Sequence, residues 1–175
     1  MKNLSKIIIL VSIFFLQIEK NLLASDIYFI DYSRVMNESV AGKKAQDYLK
    51  KLLNNSNKKF QETAKKLKSE ENNIISQKNA LSKEEYKKKA DSLRKKVFEL
   101  NQEREKSIKE VASKRKKAGD EMLKNLNPIL GKYMESNNIS VVIDKKNVLM
   151  GDKKFEITSQ IIEILNKEFK SINLN

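Results

Sequence analysis

The sequence predicts an α+β protein, mainly helical, in which a small β body carries a long α-helical coiled-coil hairpin as an arm inserted after the first strand. One Pro and four Gly in 175 residues leave few helix breakers. A charged fraction of 34% favours long solvated helices. Two short β-branched apolar runs, one early and one late in the chain, supply the strands. The length favours a single domain.

Residues 1–25 have the pattern of a signal peptide. A short basic region precedes ten mostly apolar residues, "IIILVSIFFL", a core too short to span a bilayer comfortably. We expect export, with cleavage after Ala24 or Ser25. An uncleaved signal anchor is the alternative.

The segment after the signal peptide begins with a short strand. The run "IYFI", residues 27–30, has high β propensity. Ser33 is the expected N-cap of a helix that follows. Residues 37–45 form a looser connection, and Gly42 is its weak point.

The arm is predicted over residues 43–124. Its first helix begins at Lys43 and continues to about Ile75, with Ser56 and Glu71 as polar interruptions of a narrow seam. The apolar seam positions are Ala45, Leu49, Leu52, Phe60, Ala64, Leu67 and Ile74.

A capping box marks the start of the second helix. Ser82 is followed three residues later by Glu85, so a new helix begins at Ser82. Residues 76–82 therefore lie near the tip of a hairpin, because a short connection makes neighbouring helices antiparallel.

The return helix has a regular heptad seam, which is typical of a left-handed coiled coil. The seam positions are Tyr86, Ala90, Leu93, Val97, Leu100, Arg104, Ser107, Val111, Lys114 or Arg115, Ala118 and Met122. Each leg of such a hairpin is roughly 50 Å or more long. We expect the hairpin to project, since a globular domain of this size measures about 30 Å across.

Residues 26–42 and 125–175 form the body. Pro128 is expected to kink or restart the helix. "SVVID", residues 140–144, is predicted as a strand buried on both faces, "NVLM", residues 147–150, as another strand, and Thr158 as the cap of a last helix.

A body of roughly 70 residues has a marginal core. Oligomerisation is the economical remedy, with small sheets closing into a barrel around a shared axis. The candidate trimerisation residues are Ile27, Phe29, Ile30, Val141, Val142, Ile143, Val148 and Leu149.

Two segments resemble the Skp/OmpH family of periplasmic chaperones: "IYFIDYSRVMNESVAGKKA" and "ISVVIDKKNVLMGDKKFEITSQIIEILN". The resemblance implies a homotrimer in the periplasm of a Gram-negative bacterium, with a β-barrel body and three arms around a cavity. It implies an ATP-independent holdase whose partners are unfolded outer-membrane proteins. The family offers no catalytic residues to transfer.

The arm is strongly basic. Residues 43–117 hold 24 Lys and Arg against 11 Asp and Glu, so the net charge of the chain, +13, is concentrated there. The candidate client contacts are Tyr48, Leu53, Ile75, Phe98, Lys87, Lys88, Lys89, Arg94, Lys95 and Lys96.

Three alternatives remain for this charge. The lysines are solvated helix faces, they attract acidic clients or anionic lipid such as lipopolysaccharide, or they bind nucleic acid or another anionic polymer. Export argues against nucleic acid as the physiological partner. For the function of the whole protein, a structural spacer of the envelope is a further alternative.

No enzymatic reaction is expected. Cys, His and Trp are absent, which excludes thiol and imidazole nucleophiles and Cys/His metal sites. The two Gly-rich phosphate-binding motifs, G-x-x-x-x-G-K-[ST] and G-x-G-x-x-G, do not occur, and no cofactor is expected. Asp31 and Asp144 are the only tempting carboxylate pair, and we interpret them as turn caps or partners of lysine.

Overall fold

The computed structural model describes residues 26 to 174, so the predicted signal peptide and its cleavage sites lie outside the described residues. This described part is mainly helical, as the sequence predicts, and contains one small pair of strands. The elements are β1 (Ile27–Ile30), α1 (Tyr32–Glu38), α2 (Val40–Ser76), α3 (Lys83–Ser136), β2 (Val141–Asp144) and α4 (Thr158–Glu168). Two short 3₁₀ helices, Lys145–Asn147 and Lys153–Phe155, lie between β2 and α4.

The strands β1 and β2 pair in parallel, from Ile27 opposite Val141 to Ile30 opposite Asp144. Along the other edge of β1, Phe29 forms an isolated parallel bridge with Glu156. The Ile157 N–H donates to the Phe29 carbonyl at 3.0 Å. β1 is therefore the central segment of the β structure.

The strand predicted at "NVLM" is wrong, because Asn147 ends the first 3₁₀ helix and residues 148–150 have no strand structure, with bends at Leu149 and Met150. The predicted burial of "SVVID" on both faces is also wrong within one chain. Val141 is 44% exposed, and Val142 and Ile143 are half-buried. β2 lies at the edge of a two-stranded sheet, so one side of the strand has no strand neighbour among the described residues.

The start of α1 also corrects the sequence prediction. Asp31, not Ser33, is the N-cap, and its Oδ1 accepts from the Arg34 N–H at 2.9 Å. The break between α1 and α2 lies at Ser39, whose buried hydroxyl accepts from the Gly42 N–H at 3.1 Å. Helix α2 therefore begins at Val40, and Gly42 lies inside it.

The two long helices form the hairpin. Its cross-leg ion pairs include Lys59 with Glu103 at 2.9 Å and Lys96 with Glu70 at 2.7 Å. Every predicted seam position on α2 is buried or half-buried. On α3 the same holds for the predicted seam except Val97, which is 42% exposed, and Arg115, the alternative to Lys114. The helices have 37 and 54 residues, which corresponds to about 55 and 80 Å.

The capping box predicted at the start of the return helix is confirmed. The Ser82 Oγ accepts from the Glu85 N–H at 3.2 Å, and the Glu85 Oε2 accepts from the Ser82 N–H at 3.0 Å. Both capping interactions satisfy N–H groups that have no partner inside the helix.

Helix α3 belongs to both the hairpin and the body. The predicted restart of the helix at Pro128 is wrong, because α3 continues through it to Ser136. The last part of α3 packs with α1 and α4 around the main core. The buried core residues are Ile30, Val35, Ala41, Met122, Leu126, Ile129, Ile157, Ile161, Ile162 and Leu165.

Thr158 has a different role from the predicted cap. No side chain caps α4, which begins at Thr158 itself. The fully buried Thr158 hydroxyl accepts from the Asp31 N–H at 2.9 Å and donates to Glu156 Oε1 at 3.1 Å. The Thr158 hydroxyl thereby joins the end of β1 to the start of α4. Loss of this contact would leave the Asp31 N–H without its acceptor, and an unsatisfied buried N–H costs about 1–3 kcal/mol.

The substitution Gly42→Ala tests the crowded junction at the base of the hairpin. We expect Gly42→Ala to destabilise the protein by about 1–3 kcal/mol, because the added methyl group would collide with the Met36 carbonyl group. Urea unfolding at a fixed protein concentration measures the change.

The matched control is Gly131→Ala on α3, where an added Cβ meets no atom within 4 Å. We expect this variant to be more stable than the wild type by about 0.5–1 kcal/mol, the helix preference of Ala over Gly. Equal effects at the two glycines would contradict the predicted crowding at Gly42.

Candidate functional site

The hairpin exposes apolar side chains outside its seam. Phe98 is 62% exposed and Ile75 56% exposed, and Tyr48 and Leu53 are each exposed by slightly more than a third. All four are candidate client contacts from the sequence, and the structure places them on the two long helices.

Three exposed apolar residues of the hairpin were missed: Val97, Ile108 and Leu123. Ile108 is the most exposed of them, at 65%. A sequence signal for such residues exists, since Phe98 and Ile108 each directly follow a seam position. The same offset holds for Leu53 and Ile75 on α2.

A groove of about 620 Å³ opens between the two legs in the middle of the hairpin. Its seam positions on α2 include Ala64 and Glu71, a small and a polar residue, which leave the space incompletely filled and Val97 partly exposed. The groove is lined by Ala64, Leu67, Lys68, Glu71, Leu93, Arg94, Val97, Phe98, Leu100, Asn101 and Arg104.

A smaller groove of about 220 Å³ adjoins it and contains Leu53, Phe60 and Ile108. Arg104 lines both grooves, and its guanidinium carbon lies 5.9 Å from the centre of the Phe60 ring. The two grooves therefore combine apolar walls with cations, which suits apolar segments that carry acidic neighbours.

The predicted basic contacts are all exposed on α3. Several make surface contacts: Lys89 donates to Gln77 at 3.0 Å, and Arg94 pairs with Asp91 at 2.8 Å. Exposed ion pairs contribute about 0–1 kcal/mol. Such contacts are weak enough to exchange for an anionic partner. The other four predicted basic client contacts are Lys87, Lys88, Lys95 and Lys96.

The carboxylates at the ends of the two strands are used in local structure. Asp31 caps α1, and Asp144 accepts from the Lys146 N–H and pairs with the Lys146 ammonium group, both at 3.1 Å. The interpretation of these two acids as caps and lysine partners is confirmed. Across residues 26 to 174, no three acidic side chains cluster closely enough to hold a metal ion.

A third carboxylate, Glu156, connects three parts of the body and was missed. It accepts from Lys145 at 2.9 Å, from the Thr158 hydroxyl at 3.1 Å and from Arg34 at 3.2 Å. The hydrogen bond from Lys145 is the main cause that lowers the pKa of Glu156 below its ordinary value. The sequence gives no local signal for it, because Arg34 is 122 positions away.

The predicted trimerisation residues divide into buried, half-buried and exposed groups in the single chain. Phe29 and Ile30 are buried within the chain, whereas Ile27 is 56% exposed and Leu149 fully exposed. The half-buried members are Val142, Ile143 and Val148. Exposed Val141 completes the set, and Met150, 92% exposed, was missed beside Leu149.

A protein-family model described as Outer membrane protein (OmpH-like) matches residues 26–165. The chain belongs to the OmpH-like family. The resemblance inferred from its two sequence segments is thus confirmed. No curated protein sequence matches this OmpH-like chain.

The fold of this OmpH-like protein is similar to a crystal structure of a proposed outer membrane chaperone (OmpH-like) from Caulobacter crescentus CB15. The TM-score is 0.77 at 19% identity, over 84% of this chain and 87% of that chain. At this identity the likeness shows a shared fold. Within the described residues, no helix is both long enough and apolar enough to cross a membrane.

The contacts of Glu156 predict a pH-dependent contribution to stability. Because its pKa is lower in the folded state, the ionised carboxylate stabilises the fold at neutral pH, and this contribution is lost as the pH falls through the folded-state pKa. We expect Glu156→Gln to be less stable by about 1–2 kcal/mol at neutral pH. The deficit should vanish at acidic pH.

Urea titrations at a series of pH values between neutral and acidic measure this difference. Glu163→Gln, an exposed substitution on α4, controls for the change of net charge. If the stability deficit of Glu156→Gln stayed constant across the pH range, this would argue against a stabilising role of the ionised Glu156 carboxylate.

Proposed function

We propose that this OmpH-like protein is a holdase chaperone that binds unfolded outer-membrane and other exported proteins and prevents their aggregation without ATP. The observation that carries the proposal is the series of exposed apolar side chains along a long basic hairpin. The family and the description of the Caulobacter crescentus structure support it. Binding and release need no chemical step.

Dispersed contacts suit a client without a fixed structure. An exposed side chain such as Phe98 or Ile108 gains about 1.5–3 kcal/mol when a partner buries it fully, and less when the burial is partial. Several such contacts hold a client, yet each one can be released separately. The surplus of cations over residues 43–117 adds a long-range attraction for acidic clients.

We propose that the protein acts as a homotrimer in the bacterial periplasm after removal of its signal peptide. Residues 26–42 and 125–175 would form the shared body, and residues 43–124 would form arms around a cavity. The exposed apolar residues Ile27, Val141 and Leu149 support an assembled body, because an open sheet edge invites pairing with another chain.

The surplus of cations over residues 43–117, 24 Lys and Arg against 11 Asp and Glu, favours a second candidate function. In that case the arm binds an anionic polymer such as nucleic acid, or an anionic lipid. Strong binding of DNA at low salt without any effect on client aggregation would favour the polymer. A stable assembly that binds neither unfolded clients nor anionic polymers would indicate an envelope spacer.

The test of the holdase is an aggregation assay without ATP. An unfolded β-barrel protein is diluted from denaturant, and stoichiometric wild-type protein is expected to suppress its light scattering. We expect Phe98→Ser with Ile108→Ser to need about fivefold more protein for the same effect, since two lost contacts of about 0.5 kcal/mol each correspond to that factor.

Asn72→Ser with Gln102→Ser is the matched control, because both residues are exposed and uncharged on the same hairpin. This pair should suppress aggregation as well as the wild type. Unchanged client aggregation in the presence of stoichiometric wild-type protein would refute the holdase.

The proposed trimer is tested by Leu149→Asp. Leu149 is fully exposed in one chain, so a charge there should leave the fold of the protomer intact. In a trimer interface it should lower the mass in sedimentation experiments from three chains towards one, because a buried unpaired charge is costly.

Asn147→Asp adds the same charge at an exposed position nearby and should leave the mass unchanged. A wild-type protein that sediments as a monomer would rule out the trimer.

A further inference from the structure

The segment after α4 crosses the base of the hairpin. We call residues 170–174 the strap; they have neither helical nor strand structure. Leu174 is 5% exposed and packs in a buried cluster with Ala45, Leu49 and Ala118. Ile172 packs against the same cluster and against the main core. The strap lies beyond the part of the chain that the family model matches, which ends at residue 165.

The strap occupies a notch between α2 and α3, which we define by Ala45, Tyr48, Leu49, Lys114 and Ala118. The two alanines leave room between the helices for the Leu174 side chain. Lys114 is 19% exposed in its side chain, and its ammonium group lies 5.6 Å from the centre of the Tyr48 ring.

Lys114 also binds the main chain of the strap. Its Nζ donates to the Leu174 carbonyl oxygen at 2.6 Å. Any polypeptide offers such a carbonyl group, so this contact is independent of the bound sequence. The notch therefore combines a sequence-independent hydrogen bond with a pocket for one apolar side chain.

The strap itself shows which kind of chain the notch accepts. Ile172 and Leu174 face protein, whereas Ser171 and Asn173 are exposed, so apolar and polar residues alternate. Strands of membrane β-barrels have the same alternation in their sequences. An unfolded barrel segment offers the notch the same alternate side chains and the same carbonyl groups.

The strap is also attached weakly enough to be displaced. Its apolar anchors are one buried leucine and one half-buried isoleucine, and its backbone belongs to no strand. Ordering its residues opposes these contacts. Segments with few buried contacts and without regular structure open at a low free energy.

We propose that the notch is a binding site for an extended client segment with apolar residues at alternate positions, and that the strap occupies this site in cis and competes with the client. The inference rests on the proposed chaperone function, since it names a site and a segment class for that function. Strap release then exposes the notch at the junction of arm and body.

The test uses the full chain and a fluorescent peptide with the sequence of residues 169–175, "FKSINLN". In Ile172→Ser with Leu174→Ser the strap is released, and we expect anisotropy titrations to show binding about tenfold tighter than to the wild type. This factor corresponds to a strap that covers the notch about nine-tenths of the time. Lys170→Ser, at an exposed strap position, should behave like the wild type.

A second variant tests whether the peptide enters the notch. Ala118→Leu added to the released protein fills the pocket and should abolish peptide binding, while circular dichroism confirms that the helices persist. If the released protein binds the peptide no better than the wild type, or if Ala118→Leu leaves binding unchanged, the notch is not the site.

The client assay separates this inference from the proposed function. If the wild type suppresses client aggregation but the released protein does not bind the peptide, the notch proposal fails and the holdase proposal stands. In that case faster hydrogen exchange around Ala45 in the released protein would identify the strap as a brace of the arm. Peptide binding without suppression of aggregation would instead overturn the holdase and leave the notch in place.

Discussion

The parallel pairing of β1 with β2 is the constraint on which the rest of the structure depends. Parallel neighbours cannot be joined by a tight turn and need a crossover connection. Here that crossover contains the whole hairpin, since residues 31–140 separate the two strands. The arm is therefore part of the connection that forms the sheet, and the body is complete only when α3 has returned the chain to β1.

The continuity of α3 determines how the arm and the body are coupled. Met122, Leu126 and Ile129 pack in the body core on the same uninterrupted helix that forms one leg of the hairpin. At the base of the other leg, the break at Ser39 and the crowded Gly42 fix the direction in which α2 leaves the body. Farther out, the seam is filled less completely. In the proposed holdase, this less completely packed middle of the arm suits the binding of irregular clients, because segments with few buried contacts open at a low free energy.

Local signals explain how much could be predicted from the sequence. The heptad seam and the capping box at Ser82 depend on residues three or four positions apart, and the structure confirms both. The prediction of a strand at "NVLM" failed because a short apolar run becomes a strand only where a partner edge is available. Glu156 and the strap were missed because their partners are distant in sequence. The exposed apolar client-contact candidates of the arm were partly predicted. Once the heptad seam is known, apolar residues outside the seam are expected to be exposed.

A surface that binds unfolded proteins must also avoid binding copies of itself. The exposed apolar residues of the arm, such as Phe98 and Ile108, stand apart from one another among many lysines. Two arms of like charge repel each other, whereas an acidic or neutral client does not meet this barrier. In the proposed holdase, the same cations therefore oppose self-association and favour client capture. Salt screens both effects beyond about 10 Å, while the short-range apolar contacts persist. The proposed function thus assigns the selectivity of the arm for clients over other arms to its charge, and its affinity to the apolar side chains beside the seam.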